Sequence, residues 1–235
     1  MIGIITLFSD EFRLLKDNSL IEDSRKIGEF RFYTGEIGSH RIAFVHCIPD
    51  QITLSAATQA MVDHYSPRLI IVSSAAETLV PFIDTGDIII ANYFVIPEMN
   101  NSFDSSPNWP KNRMIETDSN IIGSLRTAAD ALGDRDPQTV FGSIISAGEN
   151  DLKSPRLKNM TRKMGVMAAD PSGSAIASIS SANGIPCIVT EMAYLSTESL
   201  EKYLNSEASA RTVEKLFNLK LIALTELTRS RSFST

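Results

Sequence analysis

Residues 169–177 read Ala-Asp-Pro-Ser-Gly-Ser-Ala-Ile-Ala, which sets a carboxylate, Asp170, and a hydroxyl, Ser172, two residues apart at an expected helix start. Such a pair can hold a sugar hydroxyl. Asp-Pro-Ser is also a serviceable helix opening, because short side-chain oxygens accept from first-turn N–H groups and proline suits the first turn. The two roles are compatible. Glu11 follows the apolar run 2–8. A loop after a first strand faces the carboxyl end of the sheet, where open α/β sheets bind ligands. The same acid would also stabilise a helix N-terminus through the macrodipole. Tyr194 lies just past the last apolar run, with Glu191 and Met192 as strand-end residues before it. Its phenol could stack on a ring or simply close a cleft. His40, His46 and His64 share no spacing and no face, so no metal site is expected.

These residues need a frame, and strand-like and helix-like segments alternate to supply one. Residues 2–8 form an expected strand, followed by a short polar helix from Asp10. Residues 30–35 and 41–47 read as a hairpin around Gly38-Ser39. Leu54, Ala57 and Met61 recur at helical spacing, Pro67 stops that helix, and residues 69–72 follow as a compact buried strand. Further strands are expected at 88–96, 139–146 and 185–190. Helices are expected at 118–132, at 172–183 with Gly184 as its cap, and from Glu207 to about Thr228. Val213, Leu216, Phe217, Leu221 and Leu224 share one face of the last helix. Residues 97–111 hold three prolines and the only tryptophan, Trp109, and read as a long irregular loop. With no repeat and no separating linker, one domain over residues 1–235 with a mixed, largely parallel sheet is expected.

A chain of 235 residues with 43% apolar residues can bury a sizeable core. Its net charge of −6 disfavours a nucleic-acid partner, since phosphate binding rests on clustered Lys and Arg. The basic run 153–163 is interspersed with apolar residues and reads as a solvated helix face. Cys47 and Cys187 sit inside apolar segments and suit buried thiols in a reducing compartment. The apolar start is too short and lacks the basic lead of a signal peptide, and no stretch reaches membrane-spanning length. A cytoplasmic protein with no membrane partner is expected.

Several segments match, in order, a known family. Ile2-Gly3-Ile4-Ile5 leading to Glu11, Phe32-Tyr33-Thr34-Gly35-Glu36-Ile37-Gly38, Pro67-Arg68-Leu69-Ile70-Ile71, Gly86-Asp87-Ile88 and Gly184-Ile185-Pro186-Cys187-Ile188-Val189 resemble the nucleoside phosphorylase superfamily. Within it the chain is most similar to the methylthioadenosine/S-adenosylhomocysteine nucleosidases. The resemblance implies a three-layer α/β/α sandwich with a central mixed sheet, no cofactor, a homodimer, and a nucleoside-like small molecule as ligand. It also implies cleavage of the bond between base and ribose. There one acid protonates the purine, a carboxylate supports the cation-like ribosyl group, and a third carboxylate directs water.

Residue by residue, the resemblance is incomplete. The water-directing carboxylate falls on Glu11 and is retained. The sugar-binding carboxylate falls on Ser172, with Asp170 and Pro171 before it. The purine-protonating aspartate falls on Tyr194, and its arginine and serine companions become Thr190 and Ala193. A glycine-rich loop becomes Ser74-Ala75-Ala76-Glu77-Thr78, putting the Ser74 hydroxyl and the Glu77 charge where ligand would lie. A second small loop becomes Cys47-Ile48-Pro49-Asp50-Gln51, and a third keeps Ser146 and brings Asn150 toward the ligand. Loss of a general acid costs roughly 10²–10⁴ in rate. Ordinary hydrolysis is therefore expected to be lost, leaving a non-hydrolysing or altered-specificity paralogue that binds a nucleoside-like molecule or a partner. The alternative is a working nucleosidase or phosphorylase whose acids come from Glu149, Asp151, Glu191 or Glu198.

Overall fold

The structure, a computed structural model, describes residues 1–97, 112–133 and 137–232. Trp109 and most of the expected loop 97–111 lie outside the described residues. The chain opens with β1 (Ile2–Thr6), α1 (Ser9–Asn18), β2 (Leu20–Ile27), β3 (Phe30–Ile37), β4 (His40–His46) and α2 (Gln51–Tyr65). It continues through β5 (Ile70–Thr78), β6 (Ile88–Pro97), β7 (Asn112–Glu116), α3 (Ser119–Leu132), β8 (Thr139–Ile145), α4 (Glu149–Leu152) and α5 (Pro155–Met164). Then come β9 (Val166–Ala169), α6 (Gly173–Ala182), β10 (Cys187–Tyr194), α7 (Thr197–Leu204) and α8 (Glu207–Ser232).

The strands make one mixed sheet in the order β10-β6-β8-β9-β5-β1-β4-β3-β2, with β7 on β6. β1 runs parallel to β4 and β5, and β5 runs parallel to β10. Because β10 pairs with both β5 and β6, the path β5-β10-β6-β8-β9 closes on itself, as β9 also pairs with β5.

Strand side chains alternate between faces, and the core divides accordingly. Ile2, Ile4, Ile71, Ile188 and Met192 pack with Leu125 of α3 and Leu216 and Phe217 of α8. Ile5, Ile70, Val72 and Val189 pack on the other face with Leu54 and Met61 of α2 and Ile176 of α6. A third cluster, including Ile145, Leu157 and Val166, lies between the sheet and α5. Helices on both faces of a mixed sheet are the expected α/β/α arrangement.

Elements with a strong apolar period stand where expected, including the hairpin β3–β4 and the helices α2, α3, α6 and α8. Asp118 caps α3 by accepting from Asn120 and Ile121 N–H groups at 2.9 and 3.3 Å. The basic run forms α5, with Lys158 and Arg162 exposed. Strand β2 was not expected, for a physical reason. Every residue in it except Ile27 is exposed, so it carries no apolar alternation and exists by pairing with β3. Short β9 lacks the length for a periodic signal.

Gly35 makes that pairing workable. A Cβ there would lie 2.2 Å from the Leu20 carbonyl oxygen, a backbone atom that no rotamer change can move. Gly35→Ala should therefore lift the start of β2 and destabilise the fold by about 1–3 kcal/mol, the usual range for overpacking. Chemical denaturation would give the loss. Hydrogen exchange should place it at β2 and β3, and unchanged protection there would contradict the account.

Candidate functional site

Register places three hydroxyls side by side on three parallel strands, at the end of β1 and midway along β5 and β10. Thr6 of β1 is level with Ser73 of β5, and Ser73 is level with Thr190 of β10. Glu11, in the first turn of α1, is fully buried beside them. The Thr6 hydroxyl donates to Glu11 Oε2 at 2.6 Å. Lys220, from the middle of α8, donates to Glu11 Oε1 and to Ser73 Oγ. Ser73 Oγ is 3.4 Å from Thr190 Oγ1, which itself donates to the Val72 carbonyl at 2.8 Å. Glu11 is thus more than a helix-dipole acid, since each of its oxygens accepts from a named donor. Burial pulls the Lys220 pKa down, and the Glu11 carboxylate opposes that shift.

Lys220 was not among the expected site residues, although the sequence carried a signal for it. It falls four residues after Leu216 and four before Leu224, within the apolar stripe of α8. A lysine on a stripe facing the core must find a carboxylate or lose its charge.

One residue further along the strands, alternation turns the next pair to the opposite face. Ser74 is level with Glu191, and both meet the start of α6. Asp170 caps this helix: Ser172 N–H donates to its Oδ1 at 2.7 Å, and Gly173 N–H donates to its Oδ2. Ser74 Oγ lies 3.4 Å from the same Oδ2. The helix opening expected of Asp-Pro-Ser thus belongs to Asp170; Ser172 makes no side-chain cap bond. Gly173 lets the acids approach, since a Cβ there would sit 2.6 Å from Asp170 Oδ2 and 2.9 Å from Glu191 Oε1.

Both oxygens of Glu191 are buried and neither has a partner in ordinary hydrogen-bond geometry, with Asp170 and Ser74 as its polar neighbours. Two carboxyl groups bond only when one holds a proton, and the donors gathered on Asp170 make it the better anion. Glu191 is therefore the protonated member: burial first, then the Asp170 charge, hold its pKa well above the ordinary value. Burial also raises Asp170, against the hydrogen bonds it accepts.

The other expected site residues lie apart from both clusters. Tyr194 is half-buried at the end of β10, level with Glu77 of β5. Asn150 is exposed on α4 and accepts from Lys153 Nζ at 3.1 Å. Among the alternative acids, Glu198 is exposed and pairs with Lys202 at 2.6 Å, and Asp151 accepts from Gly148 N–H at 3.0 Å. Among the described side chains of these acids, Glu191 alone joins another acid in the core. Cavities of 160, 310 and 660 Å³ lie among the described residues, and none of these three is lined by Glu11, Lys220, Asp170 or Glu191. Glu77 lines the 660 Å³ cavity. No three His, Cys, Asp or Glu side chains among the described residues are gathered to hold a metal. No described helix is long and apolar enough to cross a membrane.

The strand order, the hydroxyl row and the capped helix over a mixed sheet define a nucleoside-phosphorylase-like scaffold. The chain belongs to the phosphorylase superfamily, whose family model matches residues 1–219. It is similar to the 5′-methylthioadenosine/S-adenosylhomocysteine nucleosidase of Staphylococcus haemolyticus, with 24% identity over 81% of this chain and 84% of that protein. Similarity to the Buchnera aphidicola nucleosidase is 26% identity, covering 80% of this chain and 82% of that one. Among solved structures, Helicobacter pylori futalosine hydrolase superposes with a TM-score of 0.75 at 18% identity, over 93% of this chain and 96% of that one. The Colwellia psychrerythraea nucleosidase, solved with adenine, gives 0.76 at 17% identity, over 96% and 95%.

Removing one partner of a buried ion pair leaves the other uncompensated, at about 3–5 kcal/mol. Lys220→Met should cost that much in chemical denaturation, and Glu11→Gln/Lys220→Met should recover most of it. Additive losses in the double variant would refute the pairing. The second cluster gives a pH signature. Folded Glu191 keeps a proton that the unfolded chain releases near the ordinary value of 4.5. Stability should therefore fall as pH rises from there toward the folded pKa, by at most about 1.4 kcal/mol per pH unit. Glu191→Gln holds no such proton. Its Tm should match the wild type near the acid end and exceed it increasingly at higher pH; a gap independent of pH would mean Glu191 is already ionised.

Proposed function

We propose that this chain is a nucleoside-binding member of its superfamily that does not carry out ordinary base–ribose hydrolysis. The observation that carries this reading is Lys220. Its ammonium lies on Glu11 and Ser73, so the carboxylate expected to direct water is buried, neutralised and bonded through both oxygens. A general base needs reach to the proton it abstracts. An acid whose two oxygens are taken by a buried ammonium and a hydroxyl lacks that reach. Ser172 and Tyr194, standing at the expected sugar-clasping and base-protonating positions, support the same reading. The ligand is a small molecule of nucleoside type, the protein is a cytoplasmic homodimer, and no cofactor is needed.

A second reading is favoured by one observation, the burial of Glu191 against Asp170 at the start of α6. In it the protein is an altered-specificity enzyme whose acid comes from that pair, opened to ligand by movement of α6.

The deciding experiment incubates pure protein with methylthioadenosine, S-adenosylhomocysteine, adenosine, inosine and futalosine, with and without phosphate, and quantifies free base by chromatography. No release together with a thermal shift from one nucleoside is the expected result. Release that survives in Glu11→Gln but vanishes in Glu191→Gln would establish the second reading. Turnover at ordinary enzyme rates that depends on Glu11 would sink both.

A further inference from the structure

We propose that the 660 Å³ cavity between α5, β9 and the segment following β5 is a second ligand site, built for a small monocarboxylate with a flexible apolar body. Its volume falls inside the roughly 300–1,000 Å³ typical of small-molecule sites. None of the charged residues of the two buried clusters lines it; Glu77, expected beside the nucleoside, does, so the inference is tested with a probe that carries neither base nor ribose.

The chemistry is divided between wall and mouth. Leu79, Val80, Val166 and Met167 give an aliphatic wall. Phe82 adds a ring that is 58% exposed, a large apolar side chain with nothing over it in the single chain. Methionine and leucine walls adapt to a flexible chain rather than a fixed ring. Lys158 and Arg162, one helical turn apart on α5, bring two cations to the same cavity, with the Thr161 hydroxyl between them. Neither cation forms an ion pair with a carboxylate among the described residues. Arg162 lies in the last turn of α5, where it also favours the helix C-terminus. Lys158 lies a turn earlier and has no such role. Charge-assisted bonds from such a pair suit a carboxylate, and the fork of Arg suits it best.

Glu77 lines the cavity as its acid. The two cations set the direction of binding, with the carboxylate toward α5 and the apolar end toward the aliphatic wall. A dicarboxylate of the same length would place its second charge against that apolar wall.

The test is equilibrium dialysis of the full chain with radiolabelled octanoate at low and moderate salt, alongside octanol and octanedioate as competitors. Octanoate should bind once per chain and more weakly as salt rises, and neither competitor should displace it efficiently. Lys158→Gln/Arg162→Gln should weaken binding by about tenfold, a moderate effect because exposed charges are partly screened. Lys158→Gln alone should weaken it without lowering Tm, which separates ligand binding from helix-end stabilisation. Thr161→Trp, at a half-buried helix position, should fill the cavity and abolish binding while leaving the melt cooperative. No saturable octanoate binding, octanol competing as well as octanoate, or unchanged binding in either the charge-removed or the filled variant would overturn the proposal.

Discussion

An ammonium and a carboxylate withdrawn from water are each expensive, and in this protein they tolerate burial only in each other's company. Lys220 and Glu11 have side chains that are 4% and 1% exposed, and they come from opposite ends of the chain. Their attraction roughly offsets their desolvation, so the pair adds little net stability compared with a well-packed apolar substitute. What it adds is position. Sliding α8 along the sheet would strand both charges, so the last helix is fixed against α1 and against the middle of β5. Ser73 and Thr6 complete the arrangement by supplying hydroxyls at the same level of the sheet.

The second constraint is strand alternation. Successive residues of β5, Ser73 and Ser74, serve two unrelated polar clusters on opposite faces. Thr190 and Glu191 of β10 do the same. Ser73 and Thr190 meet a cation from α8; Ser74 and Glu191 meet an acid at the start of α6. The two environments differ in charge. On the first face a carboxylate meets a buried ammonium. On the second, two carboxyls face each other, burial and the Asp170 charge raise the Glu191 pKa, and the helix N-terminus favours Asp170 as the charged partner. A shift of register by one residue would send each hydroxyl to the wrong face.

How far the sequence discloses this depends on the kind of signal. Strands β1 and β6 and the first half of β5 were legible as continuous apolar runs, and helices α2, α3 and α8 by apolar residues recurring at about three and a half; residues 74–78, expected as a loop, carry β5 on to Thr78. Strand β2 was not, because its sequence Leu-Ile-Glu-Asp-Ser-Arg-Lys-Ile buries almost nothing and its shape comes from its partner. Glu11 and Asp170 were legible as important acids, but their partners were not. Lys220 is distant in sequence, and only the helix period hinted that it points inward. Glu191 read as a strand-end residue, because its meeting with Asp170 depends on β5, β10 and α6 converging. Asn150 and Tyr194 were placed near a ligand by resemblance, and local geometry turns Asn150 to Lys153 and sets Tyr194 beside Glu77.

The two clusters also hold their carboxyl groups in contrasting surroundings. A buried carboxylate is usually a cost to its own fold unless donors meet it. Here Glu11 accepts from two donors, one of them the buried Lys220 ammonium, and the pair ties α8 to α1. Glu191 is in the opposite condition: it faces another carboxyl rather than a cation, burial and the Asp170 charge hold its pKa well above the ordinary value, and Gly173 leaves the room for the two acids to meet. Both carboxyls are buried against the start of α6, so contact with a ligand requires that helix to move.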